Sequence, residues 1–263
     1  MNKGKESSKY DHNYSIGAVL VDTEFHRLSR NALDFTIGTL DLRDILIFSD
    51  RPEIWPAGVI FIPIEKISTK EGYNRIILEM LPMYVTSDYY LVIQYDGFAL
   101  DSKKWRQEFL GFDYIGAHWP NYPFHSVGNG GFSLRSRELI ISSMSLAPYR
   151  STGEAEDVFI CRTVRPLLES KFGLRFADVS IARLFAYESP GQPRDTFGFH
   201  GVLNLVCAYR GRLEKLFEGE LEKLIKRKTE IFYGSLFLPL NERIEFLSRW
   251  SVMEERLRGK ERA

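Results

Sequence analysis

Four short stretches of this sequence gather residue types that can act on a phosphate ester or a sugar. In Leu91-Val-Ile-Gln-Tyr-Asp-Gly-Phe98 an apolar run delivers Asp96 to its C-terminal end, and Gly97 permits a sharp turn directly after it. A carboxylate at a strand end can ligate a hard divalent cation, and such a cation can neutralise a diphosphate leaving group. The plain alternative is an Asp ending a strand in an ordinary turn. Val127-Gly-Asn-Gly-Gly-Phe-Ser-Leu-Arg-Ser136 holds three glycines within four positions. Such glycines let the backbone take unusual dihedrals and approach a ligand, and Asn129 can both donate to and accept from sugar hydroxyls. A glycine-rich hairpin without a ligand reads equally well. In Gly153-Glu-Ala-Glu-Asp-Val158, Glu156 and Asp157 open a helix. Acids there either complement the helix dipole or aim a carboxylate base at an acceptor hydroxyl. Phe197-Gly-Phe-His-Gly201 sets His200 between glycines. It is a metal-ligand candidate, although a lone His is more often structural or solvated.

These stretches need elements to position them. Ile16-Gly-Ala-Val-Leu-Val21, Ile45-Leu-Ile-Phe48, Val59-Ile-Phe-Ile62 and Tyr89-Tyr-Leu-Val-Ile93 are β-branched or apolar runs with polar flanks, the pattern of buried strands. Helix-compatible residues lie between them at Glu24–Leu33 and Tyr73–Met83. Strands alternating with helices predict a largely parallel, layered α/β sheet. Beyond Asp96 the pattern predicts a short helix over Trp105–Leu110, a strand over Tyr114–Ala117, a loop to Gly131 and renewed order over Ser133–Met144. A helix over Glu156–Ser170 should be kinked or divided by Pro166 and stopped at Gly173, and 181–201 reads as irregular. From Val202 the chain becomes charged and amphipathic. Leu213, Leu216, Leu221, Leu224 and Ile225 recur near helical spacing, and a last helix starts near Asn241 after Pro239.

Composition bounds the classes. The chain has 263 residues, 44% hydrophobic and 14% aromatic, enough for one large α/β domain with a sizeable core. A net charge of zero argues against nucleic-acid partners. Cys161 and Cys207 form neither a disulfide framework nor a metal spacing, which points to a reducing compartment. Residues 1–13 read as a flexible polar leader rather than a secretory signal, and no stretch approaches the roughly 20 apolar residues of a membrane span.

In this order and at these intervals, the stretches resemble a glycosyltransferase-like family of the GT-A fold. Its motifs QxDxF, YIGAxW, GNGGFSLRS, ED and FGxH match Gln94–Phe98, Tyr114–Trp119, Gly128–Ser136, Glu156-Asp157 and Phe197–His200. The Fringe-like β-1,3-glycosyltransferases show a similar, more distant order. The resemblance covers residues 14 to about 201 and implies a GT-A domain over 14–205, Rossmann-like with a mainly parallel mixed sheet flanked by helices. A helical extension, 206–263, follows it. It implies transfer of a sugar from a nucleotide-diphosphate donor, a UDP-sugar in the first instance, to a saccharide or glycan acceptor. Asp157 would be the base of an inverting reaction, with Glu156 beside it. Asp96 and His200 would hold Mn²⁺ or Mg²⁺ on the diphosphate. Val21, Asp22, Thr23, Glu24, Arg75, Gln94, Tyr95, Asn129, Gly130 and Gly131 would join Asp96 around the donor, and Trp119 and Tyr122 would stack on the acceptor. Position 94 departs from the pattern, being Gln where the first acid of the metal motif stands.

The rivals are a non-catalytic carbohydrate- or nucleotide-binding domain on the same fold and an interaction protein acting through its C-terminal helices. Those helices pack on their own domain, form a homo-oligomer, or dock on a membrane-associated assembly. The expected place is the cytoplasm, free or peripheral to the inner face of a membrane, and surface-polysaccharide biosynthesis is the role that fits.

Overall fold

The computed structural model describes residues 14–188 and 195–261. The leader at 1–13 and positions 189–194 of the segment read as irregular lie outside the described residues.

The alternation of apolar runs and helices produces a six-stranded mixed sheet of order β3-β2-β1-β4-β7-β6. Strand β1 (Ile16–Asp22) leads into α1 (His26–Ile37), β2 (Ile45–Ser49) and β3 (Ile60–Pro63). Helix α2 (Lys70–Arg75) continues through a wider turn at Ile76–Met80 into β4 (Tyr89–Ile93). These four strands are mutually parallel and carry the four expected apolar runs. After β5 (Gly97–Ala99) and β6 (Tyr114–Ile115), β7 (Ser133–Ser136) runs antiparallel to β4, with Val92 opposite Ser133.

Strand side chains alternate between faces. Val19, Val21, Leu46, Phe48, Tyr90 and Val92 pack with Ile76, Ile77 and Ile140. Leu20, Ile47, Leu91, Ile93 and Leu134 pack on the other side with Leu33, Phe109 and Phe185. The result is a helix–sheet–helix sandwich, the Rossmann-like α/β class expected.

Helix α3 (Arg137–Leu146) starts at Ser136, whose hydroxyl accepts from the Leu139 N–H. The expected helix over 156–170 is divided. A short α4 (Glu156–Val158) opens into a wider turn at Phe159–Thr163, and α5 (Arg165–Phe172) restarts with Pro166 in its first turn, where a missing N–H costs nothing. Gly173 caps it at φ 69°. Two expectations need correction. Trp105–Leu110 is not one short helix: separate 3₁₀ turns lie at Ser102–Lys104 and Gln107–Gly111. The stretch from 181 is ordered as α6 (Val179–Phe185), N-capped by Asp178, then β8 (Ala186–Tyr187) and, past 195, β9 (Gly198–His200). These strands are too short to show a period of two, yet they join β5 in a small second sheet, β5-β9-β8.

The C-terminal part is helical: α7 (Val202–Ala208), α8 (Leu213–Glu218), a 3₁₀ segment at Leu221–Arg227, α9 (Lys228–Ser235) and α10 (Leu240–Glu261). Its stripe of Leu213, Leu216, Leu221 and Leu224 shares one apolar cluster with Leu28 and Ala32 of α1 and with Phe98 and Phe199 of the small sheet. No helix among the described residues is long and apolar enough to cross a membrane.

Candidate functional site

Strand order places β1 between β2 and β4, so the sheet changes winding direction between β1 and β4. Open α/β sheets form their ligand crevice there, beyond the carboxyl ends of the strands. Leu20 pairs with Ile93, which brings Asp22 and Tyr95 out side by side. Phe25 and Tyr95 stack with ring centroids 4.2 Å apart. Because β7 is antiparallel, the glycine loop before Ser133 is also delivered to this end of β4.

At the β1 exit, Val21, Asp22 and Thr23 are buried and Glu24 is exposed. Asp22 Oδ1 accepts the N–H groups of Glu24 and Phe25 at 3.2 and 2.9 Å, while its Oδ2 has no partner among the described residues. Burial holds this carboxyl above its ordinary pKa. Thr23 Oγ1 accepts from the Ile67 N–H at 3.0 Å. Arg75 does not face the crevice contacts. Its side chain is 74% exposed and lies 3.8 Å from Glu79 on the same helix. The preceding residues do the work: Gln94 donates to the Tyr73 hydroxyl at 2.9 Å, and Asn74 binds the Glu154 carbonyl and the Glu156 N–H.

The glycine loop differs from the reading of its composition. Gly128, Gly130 and Gly131 do not occupy the left-handed region; Asn129 does, at φ 73°. The glycines are required for space. A Cβ on Gly128 would lie 2.1 Å from the Trp119 ring, one on Gly130 2.1 Å from Glu156 Oε1, and one on Gly131 2.1 Å from His200 Nε2. Asn129 Oδ1 accepts the Gly131 and Phe132 N–H groups at 3.0 and 3.4 Å, which turns its amide nitrogen towards His200 Nδ1 at 2.8 Å.

The two adjacent acids part company. Glu156 is 2% exposed and is locked to buried Arg135, with Nη1–Oε2 2.9 Å and Nη2–Oε1 3.0 Å. It cannot act as a base at the crevice. Asp157 is half-buried and accepts the Gly130 N–H at 2.8 Å, so its carboxylate borders the loop. Trp119 is half-buried over Gly128, and exposed Tyr122 carries the Arg162 guanidinium 3.9 Å above its ring.

On the other side of the loop, Asp96 is 6% exposed and its Oδ1 has no partner among the described residues; His200 Nε2 lies 3.8 Å away. Burial holds the Asp96 carboxyl above its ordinary range despite the nearby His200. Glu188, which no motif marks, faces His200 Nδ1 at 3.4 Å. Burial would raise its carboxyl, but contacts from His200, Asn129 and Trp119 hold it below the usual range.

His200 Nε2 faces the Asp96 Oδ1 that lacks a hydrogen-bond partner, so these two residues would hold a divalent cation with Nε2 unprotonated, and Glu188 stands behind Nδ1. The Asn129 amide, held by two backbone N–H groups, meets His200 Nδ1 at 2.8 Å, and Glu188 Oε1 faces the same atom at 3.4 Å, so the ring's donor and acceptor roles depend on its tautomer. Burial lowers the His200 pKa, but Asp96 and then Glu188 outweigh it and raise it. No group of three or more His, Cys, Asp or Glu among the described residues is placed to hold a metal ion.

Fold and site therefore define an α/β protein with a crevice at the sheet's switch point, walled by two carboxylates, a histidine and a glycine loop. Residues 57–200, more than half of the chain, match the family described as a protein of unknown function (DUF5672), and the chain belongs to that family. The sequence has no significant match among curated proteins. Among solved structures, the chain is similar to a glycosyltransferase involved in the glycosylation of the major capsid of PBCV-1, at 12% identity and a TM-score of 0.48 over 79% of this chain and 99% of that one. It is also similar to 4-diphosphocytidyl-2C-methyl-D-erythritol synthase from Anaerococcus prevotii, at 8% identity and 0.39 over 58% and 83%. With both scores under 0.5, neither likeness bears on activity.

Proposed function

We propose that this chain transfers a glycosyl group from a nucleoside-diphosphate sugar, UDP-linked in the first instance, to a hydroxyl of a saccharide or glycan. One observation carries the reading: the adjacent glycines 130 and 131 are bordered by Asp157 on one side and His200 on the other. A sugar ring laid across that step has a base at one face and a polar leaving-group pocket at the other. The acceptor oxygen bonds to the anomeric carbon and its proton passes to the Asp157 carboxylate. The bond from that carbon to the diphosphate oxygen breaks, and the electron pair leaves on the phosphate. Opposed faces give inversion.

The unpartnered Asp22 Oδ2 is an acceptor for an N–H of the nucleotide base, and Asn129 shapes the donor side of the loop through its contacts with Gly131 and His200. Trp119 and Tyr122 offer ring faces to the acceptor. We place the enzyme in the cytoplasm, where its buried free cysteines, Cys161 and Cys207, stay reduced.

The test is incubation with a panel of nucleotide sugars and saccharide acceptors, following free nucleoside diphosphate. Release with at least one donor is expected. Binding without release would make the chain a nucleotide-sugar-binding domain, and absence of both would remove the reading.

A further inference from the structure

Helix α2 brings a further side chain towards the glycine step, two residues before Arg75. Tyr73 and Gln94 are both half-buried, and the Gln94 amide meets the Tyr73 hydroxyl at 2.9 Å. The other end of that amide lies against the loop, since a Cβ on Gly131 would stand 2.9 Å from Gln94 Oε1. The Tyr73 ring packs against the apolar cluster that holds Val21, Ile76 and Val92. Helix α2 is also tied to the segment leading into Asp157. Asn74 donates to the Glu154 carbonyl at 2.8 Å and accepts the Glu156 N–H at 2.9 Å, and Lys70 reaches the Gly153 carbonyl at 3.2 Å. Tyr73 is thus fixed between the Gly131 side of the step and the segment that carries Asp157.

The two side chains make no other hydrogen bond among the described residues. An amide and a hydroxyl joined by one hydrogen bond leave a complementary pair of functions over. With the amide nitrogen donating to Tyr73, the phenolic O–H is free to donate and Gln94 Oε1 is free to accept. With the amide turned, Gln94 Oε1 accepts the phenolic O–H, its nitrogen is free to donate and the Tyr73 oxygen is free to accept. Either way the pair offers one donor and one acceptor. An ionised phosphate oxygen has no proton to give the acceptor. A sugar hydroxyl satisfies both functions at once.

We propose that Tyr73 and Gln94 together read one hydroxyl of the transferred sugar, and so select among donors that share a nucleotide. The proposal rests on the glycosyl-transfer reading above, which lays the sugar across glycines 130 and 131. It gives the departure at position 94 a purpose. An ionised aspartate there is an acceptor only; it takes the Tyr73 O–H and leaves no donor over. Glutamine keeps the donor and the acceptor together. A sugar without the matching hydroxyl leaves both functions unpaired, which is the basis of strong discrimination at such sites.

The experiment is calorimetric titration of UDP-, ADP- and GDP-glucose, UDP-galactose and UDP-N-acetylglucosamine into the full chain in MgCl₂, each against its bare nucleoside diphosphate. At least one nucleotide sugar should bind more tightly than its nucleotide. Tyr73→Phe, which removes only the hydroxyl, should weaken that sugar by about three- to tenfold, the scale of one neutral hydrogen bond, and leave the bare nucleotide unchanged. Monodeoxy analogues of the same sugar complete a double-mutant cycle. At one ring position the loss from the missing hydroxyl and the loss from Tyr73→Phe should fail to add. A Tyr73→Phe protein that keeps the wild-type preference for the sugar at matched melting temperature overturns this proposal and leaves the donor reading standing. So do additive losses at every ring position, and so does a wild type that binds no sugar conjugate more tightly than its nucleotide. If none of the nucleotides or their sugars binds, the donor reading falls and this proposal with it.

Discussion

Two neighbouring carboxylates show how little residue type decides by itself. Glu156 and Asp157 stand side by side at one helix start, yet one is a core ion and the other borders the crevice. Removing one partner of a buried ion pair leaves the other charge uncompensated, at a cost of about 3–5 kcal/mol. Glu156→Gln should therefore lower unfolding stability by that order, measured by urea denaturation, because Arg135 is left buried among Tyr114, Ser133 and the Gly130 carbonyl. A variant as stable as the wild type would show that Arg135 finds other partners. Glu188 illustrates the opposite limit of sequence reading. It lies in no motif and its neighbours Trp119, Asn129 and His200 are far along the chain, so only the fold could reveal it. Tyr73 and Asn74, the predecessors of Arg75, make inward contacts that the sequence did not single out, while Arg75 stands exposed beside Glu79.

At the scale of elements, the four parallel strands were legible because each is a continuous apolar run, the mark of a strand buried on both faces. Pro166 and Gly173 likewise act where their chemistry requires. The small sheet was not legible, since three-residue strands such as Gly97–Ala99 and Gly198–His200 carry no usable period and are paired only by tertiary contact. The need for glycine in the loop was legible, for a reason that proved different, crowding instead of backbone freedom. That reason is testable. A Cβ on Gly131 would lie 2.1 Å from His200 Nε2 and 2.9 Å from Gln94 Oε1, so Gly131→Ala should displace the imidazole. Misplacement by about 1 Å can cost about a hundredfold in rate. Turnover of Gly131→Ala should fall on that scale with a modest change in melting temperature. Gly130→Ala presses instead on the buried Glu156–Arg135 pair and should lose stability foremost. Unchanged turnover in Gly131→Ala would detach His200 from the chemistry.

For the whole molecule, the C-terminal helices complete the core. Trp250 is 1% exposed and packs against Phe232 and Phe246 with centroids 5.3 and 5.9 Å apart. Trp250→Ala should cost about 3–5 kcal/mol, the usual range for deleting a large buried aromatic. Ending the chain at Leu205 would strip cover from Leu28, Ala32, Phe98 and Phe199 and should abolish cooperative thermal unfolding. A truncated chain that melts cooperatively near the full-length temperature would make the helices a separable appendage. The molecule-wide claim is that sheet, loop and helices converge to move a sugar between two faces of one crevice. Its most direct measurement is Asp157→Asn, nearly isosteric with the wild type, assayed for turnover and donor affinity with the product's anomeric configuration read by NMR. Turnover about 10²- to 10⁴-fold lower, unchanged donor affinity and an inverted wild-type product are expected. A variant that keeps its rate, or a wild-type product that retains the donor's configuration, would contradict the assignment of Asp157 as the base.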